Sequence, residues 1–200
     1  KAYYLHIFAI KQPDLNMDNP KVREEVKGIL RFWLDMGVDG FREDVITYIS
    51  KKEGLPDDHL MPTCKGMPHY NHGPHIHEYL NEFKHDVLDH YDCFTLAEAP
   101  MVTPKRALTY IDEKNGQLDM MIQFQCVAAD CLFTDYLPMK FSLRRMKKAF
   151  SSWQERLHGR GWNSLYIENH DHPRIVSRYG SEEFWAQSAK CLAAMYLFQQ

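Results

Sequence analysis

Residues 40–46, Gly-Phe-Arg-Glu-Asp-Val-Ile, place an ionic pair at the end of an apolar strand. Residues i and i+2 of an extended strand share a face, so Arg42 and Asp44 project together, while Phe41, Val45 and Ile46 supply the aromatic and β-branched content of a buried strand. A guanidinium beside a carboxylate favours its ionised form. Alone, the pattern fits a structural salt bridge equally well. Two further stretches repeat it: residues 94–100 (FTLAEAP) form an apolar strand ending in Glu98, and residues 164–173 (SLYIENHDHP) a third, ending in His170 and Asp171. Three strands each ending in a carboxylate are the pattern of a site.

Outward from these strands the chain alternates with helices. Asn19-Pro20 is a cap followed by proline at the first helical position, and Val22, Val26, Ile29, Leu30, Trp33 and Leu34 keep helical spacing up to Gly37. Upstream, residues 3–10 (YYLHIFAI) are a short apolar run of β-formers and residues 12–16 (QPDLN) an irregular connector. Residues 50–71, broken by Gly54, Pro56, Pro62, Gly66 and Pro68, read as a long loop of the kind that carries function. From Pro74, a helix puts Ile76, Tyr79, Leu80, Phe83, Val87 and Leu88 on one face. Thr103-Pro104 opens another helix to Ile111, residues 118–127 read as a strand, and residues 132–141 as a loop around Pro138. Ser142 caps a helix with Leu143, Met146, Phe150, Trp153 and Leu157 inward, stopped by Gly159 and Gly161, and Ser181 caps a last helix running to Gln200.

Strands alternating with helices, without hairpin signals, predict an α/β fold with a parallel sheet, either doubly wound or a (β/α)8 TIM barrel. No glycine-rich phosphate loop follows any strand, which disfavours the nucleotide-binding alternative. A whole barrel takes about 250 residues. The four strand-helix units counted here therefore predict a partial barrel.

The composition, 44% apolar and 26% charged, is that of a soluble globular chain. A net charge of -3, with no basic run longer than a pair, gives no case for nucleic acid or an anionic membrane as partner. The five cysteines, Cys64, Cys93, Cys126, Cys131 and Cys191, are scattered and contain no CxxC, against a disulfide framework or cysteine zinc site and in keeping with a reducing, cytoplasmic location. No signal peptide or membrane span is visible, although the first residue is Lys1 rather than Met. Residues 69–79 (HYNHGPHIHEY) hold four histidines, of which His72, His75 and His77 could surround zinc. Their spacing matches no standard zinc motif and Gly73-Pro74 is a helix start, so the expectation is a surface loop with no metal. Phe124, Phe133, Tyr136, Trp153 and Trp162 include candidate sugar-stacking surfaces, though most aromatic residues serve cores.

Glycoside hydrolysis uses one carboxylate as nucleophile or base and one carboxylic acid to protonate the leaving oxygen, about 5 Å apart in retaining enzymes. Asp44, kept anionic by Arg42, suits the nucleophile. Glu98, between Ala97 and Ala99 with no adjacent cation, suits the acid. Asp171 would offer negative charge to an oxocarbenium-like transition state, and neutral His170 a hydrogen bond to a sugar hydroxyl.

The motifs QPDLN (residues 12–16), GFREDV (40–45), AEAP (97–100) and NHDHPR (169–174), with FWLDMGVDGFR and GWNSLY beside them, resemble those of retaining α-glucosidases of the α-amylase family, nearest the oligo-1,6-glucosidase and dextran glucosidase group. The resemblance covers nearly the whole chain. It implies strands 4 to 7 of a (β/α)8 barrel over residues 19–200, with residues 1–18 the end of an inserted subdomain and its return loop. It makes Asp44 the nucleophile, Glu98 the acid/base and Asp171 the transition-state stabiliser, with Arg42, His170, Val45 and Arg174 as substrate-binding residues and no cofactor. Valine at position 45 accompanies α-1,6 cleavage in that group, so the implied substrate is an isomalto-oligosaccharide attacked at its non-reducing end. Glu43, Ala97, Ala99 and His172 depart from the group's usual Met, Gly, Met and Gln. A first sugar-gripping motif is expected upstream of Lys1 and a final strand beyond Gln200, so this span by itself is expected to be inactive. An α-1,4-glucosidase, a trehalose-6-phosphate hydrolase and a sucrose isomerase remain as alternatives, as do a non-catalytic barrel relative and a histidine-rich metal-binding module. Trehalose 6-phosphate would need a cationic phosphate pocket that the sequence does not locate.

Overall fold

A computed structural model describes residues 3–58, 64–132 and 137–199, and the chain divides into two compact units, Lys1–Thr95 and Leu96–Gln200. In the first, helix α1 (Pro20–Asp35) starts where the cap predicts: Asn19 is extended and its side chain accepts the Lys21 N–H at 3.0 Å. The left-handed Gly37 ends it. Strand β1 is Gly40–Glu43, and after the short helix α2 (Met67–Tyr70) comes α3 (Ile76–Asp86), continued by a 3-10 turn at Leu88–His90. All six apolar residues predicted for the α3 face, from Ile76 to Leu88, are buried. Leu34, Val87 and Leu88 form a core on which Leu30, Phe41, Tyr91 and Cys93 pack.

Helices α1 and α3 are joined by ions as well as by apolar contact. Lys27 is only 6% exposed, and its ammonium lies 2.7 Å from Asp86, 2.8 Å from Glu24 and 3.0 Å from Glu82. The hydrogen bond to Asp86, then that to Glu24, raises the pKa of Lys27 despite a burial that opposes its charge.

Strand β2 (Phe94–Glu98) begins in the first unit, where the Phe94 N–H meets the Asp39 carbonyl at 2.9 Å, and ends in the second. There it runs parallel to β3 (Met120–Ile122), pairing Leu96 with Met120 and Glu98 with Ile122, and β3 runs parallel to β4 (Trp162–Asn163). The strand order is β1-β2-β3-β4. Helices α4 (Pro104–Ile111) and α5 (Leu143–Leu157) start at Thr103 and Ser142, whose hydroxyls accept the N–H groups of Arg106 and Arg145. Ala107, Tyr110 and Ile111 of α4 and Met146, Phe150, Trp153 and Leu157 of α5 are buried with Ala97 and Met121. Two helices close the unit, α6 (Ile175–Tyr179) and α7 (Trp185–Leu197). The predicted α/β class, parallel strands with helices between them, is what the chain forms. No helix among the described residues is long and apolar enough to cross a membrane.

The structure departs from several expectations. Residues 3–10 form no strand: they are irregular backbone fastened by side chains, the Asp14 carboxylate accepting the Ile7 N–H and the Tyr4 hydroxyl donating to the Ile10 carbonyl. The strand expected over 118–127 stops at Ile122, because the Gln123 side-chain oxygen accepts the Cys126 N–H and the Ala128 N–H turns back to the Phe124 carbonyl. Strand β4 likewise ends at Asn163, one sheet bond later extended by the Ser164 N–H to Met121, so Asp171 stands on a turn rather than at a strand end. Ile29, Trp33 and Leu143 are exposed. The Ser181 hydroxyl accepts from Phe184, capping the turn before α7, and α7 stops at Leu197 rather than running on to Gln200.

Replacing Lys27 by methionine removes the one cation shared by three carboxylates. Glu24 and Asp86 reach solvent, and Arg31 and Arg23 remain beside Glu24 and Glu82, so the expected result is a lower denaturant midpoint with the protein still folded.

Candidate active site

Asp44 is the first residue past β1. Its side chain is 71% exposed and one of its oxygens accepts a hydrogen bond from Arg42 Nη1. The two side chains meet as their spacing predicts. Val45, expected to continue the strand, instead adopts the left-handed region at φ 37°, ψ 42°, and its carbonyl accepts the Tyr48 N–H at 2.8 Å to start the 3-10 turn Ile46–Tyr48. The Val45 side chain packs against the buried cluster Tyr48, Met67 and Tyr70, as do Ile7 and Cys64.

The turn is pinned by the histidine stretch. The buried Thr47 hydroxyl donates to the Asn71 side-chain oxygen at 2.9 Å, the His72 N–H to the Thr47 carbonyl at 2.9 Å, and the His75 N–H to the Ser50 hydroxyl at 2.9 Å. Gly73 approaches so closely that a Cβ there would lie 1.9 Å from the Ser50 carbonyl oxygen. The turn is thus held by the backbone of residues 72 and 75 and by the Asn71 side chain, while the His75 ring pairs with Glu78 at 3.1 Å. Among the described residues no group of three or more His, Cys, Asp or Glu side chains could hold a metal ion. Phe8 is 53% exposed and stacks on Tyr48 with centroids 6.4 Å apart and planes at 20°. It is an exposed aromatic plane in the same unit as Asp44. The sequence did not mark it, because nothing in a short apolar run tells which aromatic side chain stays exposed.

In the second unit Glu98 closes β2. It is 4% exposed between fully buried Ala97 and Ala99, and the pairing of β2 with β3 continues through the Ala99 N–H, 3.1 Å from the Ile122 carbonyl. Asp171 and His170 occupy an exposed turn, with His170 Nε2 3.4 Å from Asp171 Oδ2. The Asn169 side-chain oxygen takes the Asp171 N–H at 3.0 Å and also bonds the His172 ring. That ring tilts toward Phe124, centroids 6.3 Å apart, and Phe124 meets Tyr166 edge-on. Arg174 pairs with Glu168 at 2.6 Å, and the Ile175 N–H followed by Arg174 holds the Glu168 carboxyl below its ordinary pKa.

The segment after β3 is fastened to α6 by Asp130, Arg178 and Tyr179. Arg178 pairs with Asp130 and donates to the Val127 carbonyl at 2.8 Å, and the Tyr179 hydroxyl lies 2.9 Å from both acceptors. Burial opposes the charge of Asp130, but the hydrogen bonds of Arg178 and Tyr179 outweigh it and lower the pKa. Of the candidate stacking residues, Trp153 is fully buried and donates to Gln125, and Trp162 donates to Glu113 at the start of β4. Phe133 and Tyr136 lie outside the described residues. The first unit therefore holds Arg42, Asp44 and Val45, and the second holds Glu98, His170, Asp171 and Arg174.

The α-amylase catalytic-domain family model matches residues 1–200. The chain is 46% identical to an oligo-1,6-glucosidase of Parageobacillus thermoglucosidasius, aligned over 99% of this chain and 36% of that protein. It is 44% identical to an α-glucosidase of Pediococcus pentosaceus, over 100% of this chain and 37% of that protein. The solved trehalose-6-phosphate hydrolase of Bacillus licheniformis superposes with a TM-score of 0.91 at 39% identity, over 99% of this chain and 36% of that one. The protein belongs to the α-amylase catalytic-domain family, and its parallel strands with their helices are part of that family's TIM-barrel fold. The chain spans about a third of the length of the relatives it matches.

A carboxylate whose folded pKa is depressed contributes stability that is present above its unfolded pKa, about 4, and is lost as pH falls through the folded value. Asp130 is such a group. Melting temperatures of wild type and Asp130→Asn, measured from pH 7 down to pH 3, are expected to differ most at neutral pH and to converge in acid.

Proposed function

We propose that the protein is a cytoplasmic retaining α-glucosidase acting on oligosaccharides by double displacement, with Asp44 as nucleophile, Glu98 as acid/base and Asp171 as transition-state stabiliser. The observation that carries the reading is Asp44 itself, exposed immediately beyond a sheet strand with Arg42 on one oxygen. In this reaction Asp44 attacks the anomeric carbon while the Glu98 carboxylic acid gives its proton to the departing glycosidic oxygen. The resulting glucosyl ester is cleaved by water, whose proton Glu98 now takes, and two inversions leave the product α-configured. Asp171 faces the positive charge that develops on the sugar ring, and His170, Arg42 and Arg174 bind hydroxyl groups. Burial of Glu98 between two alanines supports its acid role, since it keeps the proton donor shielded from bulk water.

The finer reading is α-1,6 cleavage of isomalto-oligosaccharides, supported by Val45 and by the identity to an oligo-1,6-glucosidase. Within the barrel we assign residues 19–200 to strands 4 to 7 and residues 1–18 to the return from an inserted subdomain. Similarity to an α-glucosidase and to a trehalose-6-phosphate hydrolase favours those two substrate classes as the second readings.

In the full chain, Asp44→Asn is expected to lower the rate on the order of 10³-fold or more, since it removes the covalent route and leaves positioning and electrostatics. A fluorinated glucosyl fluoride should leave its adduct on Asp44, read by peptide mass spectrometry; an adduct on another residue contradicts the assignment. For the linkage, the expected result is a higher kcat/KM for isomaltose than for maltose. The margin should be about 10- to 200-fold, the range that a methyl group or two in a pocket can supply. A preference for maltose, or for trehalose 6-phosphate, moves the assignment to the corresponding second reading.

A further inference from the structure

Val45 is the only β-branched residue among the five non-glycine residues with positive φ in the described chain; the others are Leu55, Cys64, His72 and Met101. For a β-branched side chain this backbone is an outlier, and such conformations persist only where the surroundings over-determine them. Here they do. The side chain is anchored among Tyr48, Met67 and Tyr70, the carbonyl starts the Ile46–Tyr48 turn, and Thr47 and Ser50 are tied to residues 71–75 by three hydrogen bonds of 2.9 Å. The residue in front of this forced reversal is Asp44. Its carboxylate is therefore fixed from two sides, by Arg42 on the strand and by the left-handed turn behind it.

We propose that Val45 is a positioning residue for the nucleophile: its half-buried side chain, packed on the Tyr48, Met67 and Tyr70 cluster, forces the left-handed turn that sets where the Asp44 carboxylate stands. The proposal rests on the reading of Asp44 as nucleophile. Orientation is a large lever in such a step, because displacement of a reacting group by about 1 Å can cost about 100-fold in rate.

The test uses the full chain and four variants, with an aryl α-glucoside for kcat and KM, adduct formation at Asp44 by a fluorinated glucosyl fluoride, and thermal unfolding as the folding control. Val45→Gly takes the left-handed backbone without strain but loses the anchor, so kcat and the adduct rate should fall together by about 10- to 100-fold while KM moves by less than about threefold. Met67→Ala leaves residue 45 intact and removes part of its anchor; it should lower kcat in the same way by about three- to tenfold, and Met67→Leu, which refills the space, should recover it. Val45→Thr, which keeps the branched shape, should retain more of kcat than Val45→Gly. A folded Met67→Ala with wild-type kcat and adduct rate overturns the proposal, as does a Val45→Gly that changes only the ratio of isomaltose to maltose cleavage. If Val45→Gly does not fold, the Met67 pair decides. Absence of an Asp44 adduct in the wild type overturns the nucleophile reading and the proposal together; an adduct formed equally fast in Met67→Ala overturns the proposal alone.

Discussion

At Gly40 the backbone of β1 lies against the start of β2, leaving no room for a side chain. A Cβ there would stand 1.9 Å from the Phe94 carbonyl oxygen and 2.8 Å from its carbonyl carbon and nitrogen, well inside any van der Waals contact. The neighbouring bond from the Phe94 N–H to the Asp39 carbonyl holds the two strands at that spacing. Backbone, unlike a flexible side-chain end, cannot give way, so any residue but glycine would push β1 off its partner. Space and conformation both ask for glycine here, since its φ of 158° is one that L side chains rarely adopt. Four residues on, Asp44 inherits its place from this pairing, which gives the first letter of the GFREDV stretch a reason as physical as that of its acid.

The ion pairs of the chain divide into two kinds by what burial does to their energy. The Lys27 ammonium, beside Glu24, Glu82 and Asp86, and the pair of Arg178 with Asp130 are shielded from water and hold separate segments together, although Glu24 and Asp86 themselves reach solvent. Arg42 and Asp44 are much more exposed, and pairs of that sort contribute only about 0–1 kcal/mol to stability. Folding therefore gains little from the pair. Its consequence is orientation, one carboxylate oxygen being committed to the guanidinium while the strand and the turn fix the backbone on either side.

Helix starts were legible in the sequence because they are local. Asn19, Thr103 and Ser142 each accept an N–H two or three residues ahead, a relation written in consecutive residues. The buried face of α3 was legible for a similar reason, since helical spacing alone puts Ile76, Tyr79, Leu80 and Phe83 together. Strand ends were not, because a strand extends only as far as its partner does. Residues 118–127 have the composition of a long strand, yet a single side-chain oxygen, that of Gln123, turns the chain after Ile122. The same limit moved Asp171 from a strand end to a turn held by Asn169. At the site, the pairing of Arg42 with Asp44 and the apolar flanks of Glu98 followed from spacing and neighbours. The left-handed Val45 did not, because valine is among the residues least suited to that backbone and only distant packing, from Met67 and Tyr70, imposes it.

A covalent glucosyl intermediate on Asp44 dictates the stereochemistry of the first product, which reports on it without any substitution. The full chain would be mixed with an α-linked disaccharide and the anomeric proton of released glucose followed by NMR before mutarotation. Double displacement through Asp44 gives α-glucose first, with the β anomer growing in only at the spontaneous rate; β-glucose as the initial product would mean direct attack by water and would contradict the account.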